Sequence, residues 1–195
     1  MGIIVQKFGG SSVANLEKLE LVSEHIIKEV ERGNKLVVVV SAQGKTTDKL
    51  IAEEAEITKN PDKREHDVLV STGEQITIAK LAMLLIEKNY KAVSLAGWQI
   101  PIITNSEFSN SRIRYIHNDT INEYLDSGNI VIVAGFQGID ENGNITTFGR
   151  GGSDTTAVAL AASLGAERCD IFTDVDGVYT CLLYTSDAAD DRISV

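Results

Sequence analysis

The sequence predicts an α/β fold: a three-layer α/β/α sandwich with a mostly parallel central sheet. Three observations carry that prediction. Apolar strand-like runs alternate with helix-periodic stretches along the chain, the connections are short, and several runs are continuously apolar, as in strands covered on both faces. With 195 residues, the chain is long enough for one globular domain with a substantial core.

The elements follow in order. Residues 3–8 read as a strand broken by Gly9-Gly10-Ser11-Ser12, after which Leu16, Leu19, Val22, Ile26 and Val30 recur at helical spacing. Residues 36–40 form a second apolar strand just after Gly33-Asn34, and 48–57 suit a helix. Asn60-Pro61-Asp62 interrupts the pattern before a long helix from about 73 to 87. Strands are expected at 92–95 and 100–104, a polar surface loop near a ligand at 105–114, a helix at 116–125 and a strand at 130–134. Asn142-Gly143 marks a hairpin turn. A helix at 153–164 stops at Gly165, and a strand follows at 170–175. Neither an internal repeat nor a coiled-coil heptad is present. After Thr180 the periodicity is lost, so residues 181–195 are expected to be an atypical tail that does not continue the domain of residues 1–180.

Composition excludes several classes of function. Hydrophobic residues at 43% and charged residues at 24% argue against disorder. Asp plus Glu number 28 against 18 Lys plus Arg, a formal charge of −10, which repels nucleic-acid phosphates. Any anionic substrate must be held by a few local cations, amides and metal ions. Two cysteines, Cys169 and Cys181, offer no disulfide framework, and the expected compartment is the cytoplasm, with no signal-type leader and no apolar run of membrane-spanning length.

Two glycine turns carry chemistry. In Lys7-Phe8-Gly9-Gly10-Ser11-Ser12 a lysine leaves a strand just before exposed amides and a helix start, which suits phosphate; the bland alternative is an ordinary β-α turn. In Phe148-Gly149-Arg150-Gly151-Gly152-Ser153-Asp154 the arginine fork suits a carboxylate and Asp154 could orient a lysine; alternatively Ser153 is an N-cap and Asp154 a first-turn charge. Neither turn matches the P-loop or the dinucleotide-binding fingerprint. Taken alone, Glu74 reads as a solvated first-turn charge, Thr47 as a helix cap, and Asp174 and Asp176 as turn residues. Trp98 reads as packing, and His25, His66 and His117 as scattered surface residues without a catalytic role.

The segments Val5 to Val13 and Phe148 to Thr156 closely resemble the two signatures of aspartokinases, within the amino acid kinase family, and they occur in the expected order. Val40-Ser41-Ala42, Thr46-Thr47-Asp48, Ser71-Thr72-Gly73-Glu74 and Phe172 to Thr180 resemble further segments of that family. The resemblance covers roughly residues 3–180. It implies phosphoryl transfer from ATP to the β-carboxylate of L-aspartate, with Mg²⁺ held largely by the nucleotide phosphates and water and no protein metal site. Carried over, Lys7 and Asp154 would be the catalytic pair. Lys7, Phe8, Gly9, Gly10, Ser41, Thr173, Asp174 and Tyr179 would bind ATP. Thr47, Glu74, Arg150, Gly151, Gly152 and Ser153 would hold aspartate, with Arg150 on the carboxylate and Glu74 on the ammonium group.

The family continues past the point where this sequence departs from it, with further nucleotide-contacting strands and regulatory ACT domains. The chain as given is therefore expected to be weakly active or inactive, while the full-length protein is expected to be a homo-oligomer. Two alternatives stand beside this reading: a sister kinase acting on another carboxylate or on carbamate, and a truncated nucleotide-binding module without catalysis.

Overall fold

The computed structural model describes residues 2–172. Thr173, Asp174, Asp176, Tyr179 and the tail therefore lie outside the described residues. The elements are β1 (Ile3–Phe8), a 3₁₀ turn (Gly10–Val13), α1 (Leu16–Glu31), β2 (Lys35–Val40), α2 (Thr46–Ile57), α3 (Lys63–Val70) and α4 (Thr72–Glu87). These lead to β3 (Ala92–Leu95), β4 (Ile102–Thr104), β5 (Ile113–Ile116), α5 (Asp119–Asp126), β6 (Ile130–Ala134), β7 (Gln137–Ile139), β8 (Ile145–Thr147), α6 (Gly152–Leu164) and β9 (Arg168–Phe172).

The central sheet has five parallel strands in the order β3-β6-β2-β1-β9. Side chains alternate across it, so the continuous valine run of β2 serves two cores. Leu36, Val38 and Val40 join Ile4 and Phe8 against α1 and α4, through Leu19, Val22, Ile26, Ile78, Leu81 and Leu85. Val37 and Val39 join Val5, Val131 and Val133 against α5 and α6, through Ile121, Leu125, Ala157 and Leu160. Helix, sheet, helix is the three-layer sandwich that the alternation predicts.

Four departures have physical causes. First, α3 is a separate helix: the Asp62 side chain accepts from the amides of Arg64 (2.9 Å) and Glu65 (3.3 Å), so the residues after Pro61 start a helix of their own. Second, the 105–114 loop gives way to β5 at Ile113, and α5 starts only at Asp119, because Ile113 and Ile116 pair with β4. Third, β4, β5, β7 and β8 form a separate mixed sheet in the order β5-β4-β7-β8, which local patterning does not distinguish from the central one. Fourth, α3 and α4 run together over 25 residues, long and apolar enough to cross a membrane by length and composition. Half of the most apolar 18-residue window in that stretch is buried, and α4 turns Ile78, Leu81 and Leu85 onto the sheet.

The hairpin turn is as expected. Gly143 takes a φ of 79°, and the Asp140 carboxylate accepts from the amides of Asn142 and Asn144, both at 2.9 Å. Burial works to raise the Asp140 carboxyl, but these bonds and those from the side chains of Asn144 and Ser106 hold it below the usual range. Helix α6 ends at Gly165, whose φ of 60° closes it with a left-handed cap.

Candidate active site

The carboxyl ends of parallel strands are where an open α/β sheet leaves room for ligands. Here β1, β2 and β6 deliver Lys7, Ser41 and Phe136 to one edge. Helix α4 brings Glu74, α2 brings Thr47, and the turn before α6 brings Gly149 and residues 151–154. Together they line a cavity of about 360 Å³.

Lys7 is only 7% exposed, fixed in β1 by its pairing opposite Val39 and Ile171. A buried ammonium needs an opposite charge, and Lys7 Nζ lies 2.6 Å from Asp154 Oδ1, in the first turn of α6. The aspartate is held there by its helix start and remains half exposed to the cavity. The lysine head thus sits at the cavity wall, restrained but available to an anion.

Helix α6 begins at Gly151, whose φ of 74° is reached cheaply only by glycine. Its first amides therefore have no side-chain cap. Ser153 is not the N-cap. Its hydroxyl instead accepts from Ser41 Oγ at 3.0 Å, linking the β2 end to the α6 start. Close approach makes this possible, since a Cβ on Gly135 would stand 2.6 Å from Ser153 Oγ.

Glu74 corrects the solvated-charge reading: it is 3% exposed. Its Oε1 accepts from the Ala42 amide at 3.0 Å, and its buried Oε2 has no hydrogen-bond partner among the described residues. Burial pushes this carboxyl up to about 7, with the hydrogen bond from Ala42 working the other way. Thr47 is likewise not a cap. Lys45 occupies that position and Thr46 Oγ1 donates to the Gln43 carbonyl, leaving Thr47 to line the cavity.

Other expected site residues are placed differently. Phe8 is buried on the α1 side, stacked on Phe172 with ring centroids 4.7 Å apart. The Gly9 amide donates to the Phe172 carbonyl at 3.3 Å, and Gly10 packs against the Ala42 carbonyl, where a Cβ would come within 2.8 Å. Arg150 is exposed on the turn between β8 and α6, flanked by Gly149 and Gly151, and does not line the cavity. Phe136 was not anticipated. It takes a φ of 70°, unusual for a bulky residue, with its amide donating to Thr156 Oγ1 and its carbonyl accepting from the Phe148 amide. The strand end at Ala134 followed by Gly135 was the available signal.

A buried lysine paired with an aspartate at a helix start, uncapped helix amides and a buried carboxyl in the same cavity make a site for an anion beside a cation-bearing ligand. The sequence profile of the amino acid kinase family matches residues 2–186. The chain belongs to that family.

Its relatives narrow the class further. It is 61% identical over 180 residues to an aspartokinase of Geobacillus stearothermophilus, a match covering 92% of this chain and 44% of that protein. Identity to aspartokinase 2 of Bacillus subtilis is 54%, with the same coverage of each. Among solved structures, aspartate kinase from Synechocystis matches with a TM-score of 0.76 and 49% identity, over 88% of this chain and 28% of that one. E. coli aspartokinase III in complex with aspartate and ADP matches with a TM-score of 0.80 and 27% identity, over 91% and 50%. The chain thus spans about 44% of the length of these curated relatives.

Proposed function

We propose that the chain is the N-terminal part of an aspartate kinase catalytic domain, with residues 1–180 building the acceptor pocket and the phosphate-facing wall. The full protein would transfer the γ-phosphoryl group of ATP to the β-carboxylate of L-aspartate, giving 4-phospho-L-aspartate and ADP, a reaction of amino-acid biosynthesis leading towards lysine, threonine and methionine. The observation that carries this is the set of charged groups lining one cavity: the Lys7–Asp154 pair and, apart from it, the buried Glu74 carboxyl. An amino acid with an extra carboxylate fits that set, its ammonium toward Glu74 and its reacting carboxylate toward Lys7.

The acceptor oxygen is ionised at neutral pH, so no general base is required. The chain's contribution is alignment and charge neutralisation. Lys7, held by Asp154, faces the developing negative charge; the uncapped amides of α6 add positive potential from the same side. No group of three or more His, Cys, Asp or Glu residues that could hold a metal is present among the described residues. Mg²⁺ would be carried largely by the nucleotide phosphates and water, with Asp154 the carboxylate that lines the cavity beside Lys7. When bound, the ion would neutralise phosphate charge during transfer. We also propose a cytoplasmic, homo-oligomeric full-length protein.

The test is ADP release with Mg-ATP and a panel of amino acids, using the chain alone and the chain continued after Thr180 by a relative's sequence. Aspartate-dependent release in the continued chain, lost in Lys7→Ala, is expected. A well-folded continued chain that responds to another acid, or to none, would refute the assignment.

A further inference from the structure

Asp67, on α3, is fully buried and has no lysine, arginine or histidine ion-pair partner among the described residues. Its carboxylate instead accepts four hydrogen bonds. Oδ2 takes the amides of Ser109 (2.9 Å) and Thr147 (2.8 Å), and Oδ1 takes the hydroxyls of Ser109 (3.0 Å) and Thr147 (2.9 Å). A buried carboxylate is costly, and a chain that only needed α3 packed could use an apolar residue there.

The partners point to a purpose. Thr147 ends β8, immediately before the Phe148–Gly151 turn that enters the cavity. Its carbonyl accepts the amide and hydroxyl of Ser111, both at 2.9 Å. Ser109, held at a φ of 66°, packs with Asn110 against Gly149, where a Cβ would lie 3.3 Å from Asn110 Oδ1 and 3.6 Å from the Ser109 carbonyl. On the other side, the Asp67 carbonyl accepts the Ser71 amide at 3.1 Å, and the Ser71 carbonyl accepts Gln137 Nε2 at 2.9 Å. Ser71 is the N-cap position of α4, three residues before Glu74.

We infer that Asp67 is a positioning residue for the acceptor half of the site, tying the helix pair that carries Glu74 to the strand end that carries the Gly149–Ser153 turn. This rests on the reading of that cavity as an amino-acid site. Asp67 touches no ligand-facing atom, so its effect falls on the spacing between the two walls. Lys7 is held by the β1 ladder, and α6, which carries its partner Asp154, is packed along its length on the sheet, so the phosphate side should be affected less than the acceptor side.

The test compares Asp67→Ala and Asp67→Asn in the chain continued after Thr180 by a relative's sequence, measuring L-aspartate and Mg-ATP binding by calorimetry and backbone amide exchange by mass spectrometry. An asparagine with its oxygen toward the two amides still accepts both, while its NH₂ donates to the two hydroxyl oxygens, which can turn to accept. Asp67→Ala should weaken L-aspartate on the order of ten- to a hundredfold, the scale for misplaced binding groups, with Mg-ATP affinity reduced clearly less. Exchange should quicken in the 107–111 and 147–152 segments but not in β1 and β2, and Asp67→Asn should restore both readouts.

Equal loss of both ligands, or unchanged exchange in those segments, would overturn the inference. Should Asp67→Ala not fold, Thr147→Val, which removes one of the four bonds, carries the test: a few-fold loss confined to L-aspartate supports it, and no loss overturns it. If the unaltered chain bound no L-aspartate, the amino-acid reading would fall, and the exchange pattern would still decide whether Asp67 positions the turn.

Discussion

Replacing Glu74 by glutamine should make the protein more stable at alkaline pH while weakening the site. The Glu74 carboxyl is buried, its Oε2 has no hydrogen-bond partner among the described residues, and burial moves it from 4.5 to about 7. The folded protein therefore keeps a proton that the unfolded chain releases, so stability falls as pH rises from about 4.5 to 7 and levels off above that window. At roughly 1.4 kcal/mol per pKa unit, the full loss is about 3 kcal/mol. Glutamine keeps an oxygen for the Ala42 amide and has no charge to desolvate. Urea unfolding followed by Trp98 fluorescence at pH 5, 6, 7 and 8 measures the difference. Glu74→Gln should gain on the unaltered chain steadily from pH 5 to pH 8, by about 2–3 kcal/mol over that range. Parallel pH profiles would refute the reasoning. A second readout is independent of stability. An ammonium ligand beside Glu74 should drive off its proton at pH 6 to 7, so calorimetry in buffers of different ionisation enthalpy should show proton release for the unaltered chain and none for Glu74→Gln.

Three further outcomes are expected. Lys7→Met should cut aspartate-dependent ADP release by the continued chain on the order of a hundred- to a thousandfold without altering its circular dichroism; retained turnover would remove Lys7 from the phosphate wall. Gly135→Ala forces a Cβ to 2.6 Å from Ser153 Oγ, 2.7 Å from its Cβ and 3.0 Å from its Cα, so the clash reaches backbone and should cost about 1–3 kcal/mol; an unchanged Tm would contradict that packing. Burial works to raise Glu29, but the Asn34 hydrogen bond and the charges of Arg168 and Arg32 hold it below 4.5. Its contribution is therefore present above pH 4.5 and lost as pH falls through its lowered value, and thermal melts from pH 3 to 6 should show Glu29→Gln losing less stability in acid than the unaltered chain.

Much of the architecture was legible because it rests on local patterns. Continuous apolar runs such as the β2 valines require cover on both faces, and the Leu19, Val22 and Ile26 spacing allows one helix face. The β7–β8 hairpin was legible from its turn, but the second sheet was not, since its strands have three or four residues and the β4–β7 pairing that joins its halves, Ile103 with Ile139, lies far apart in sequence. Helix α3 was missed because Pro61 hides a start that the Asp62 cap restores.

For the site, sequence by itself determined the residue types and their order: a lysine leaving the first strand, a glycine turn with Arg150 and Asp154 opening a late helix, and Glu74 in a helix's first turn. These depend on short segments whose backbone needs are local. Only the tertiary structure decided which of them meet. Lys7 and Asp154 are 147 residues apart in sequence yet joined at 2.6 Å, because β1 lies in the sheet directly beneath α6. Glu74 is buried where a first-turn glutamate is ordinarily solvated, because Ala42 and Gly73 let α4 press against the end of β2. Arg150 stays outside the cavity and Asp67 enters the interior for the same reason: burial and hydrogen-bond satisfaction belong to the packed chain as a whole, and no local window of sequence contains their partners.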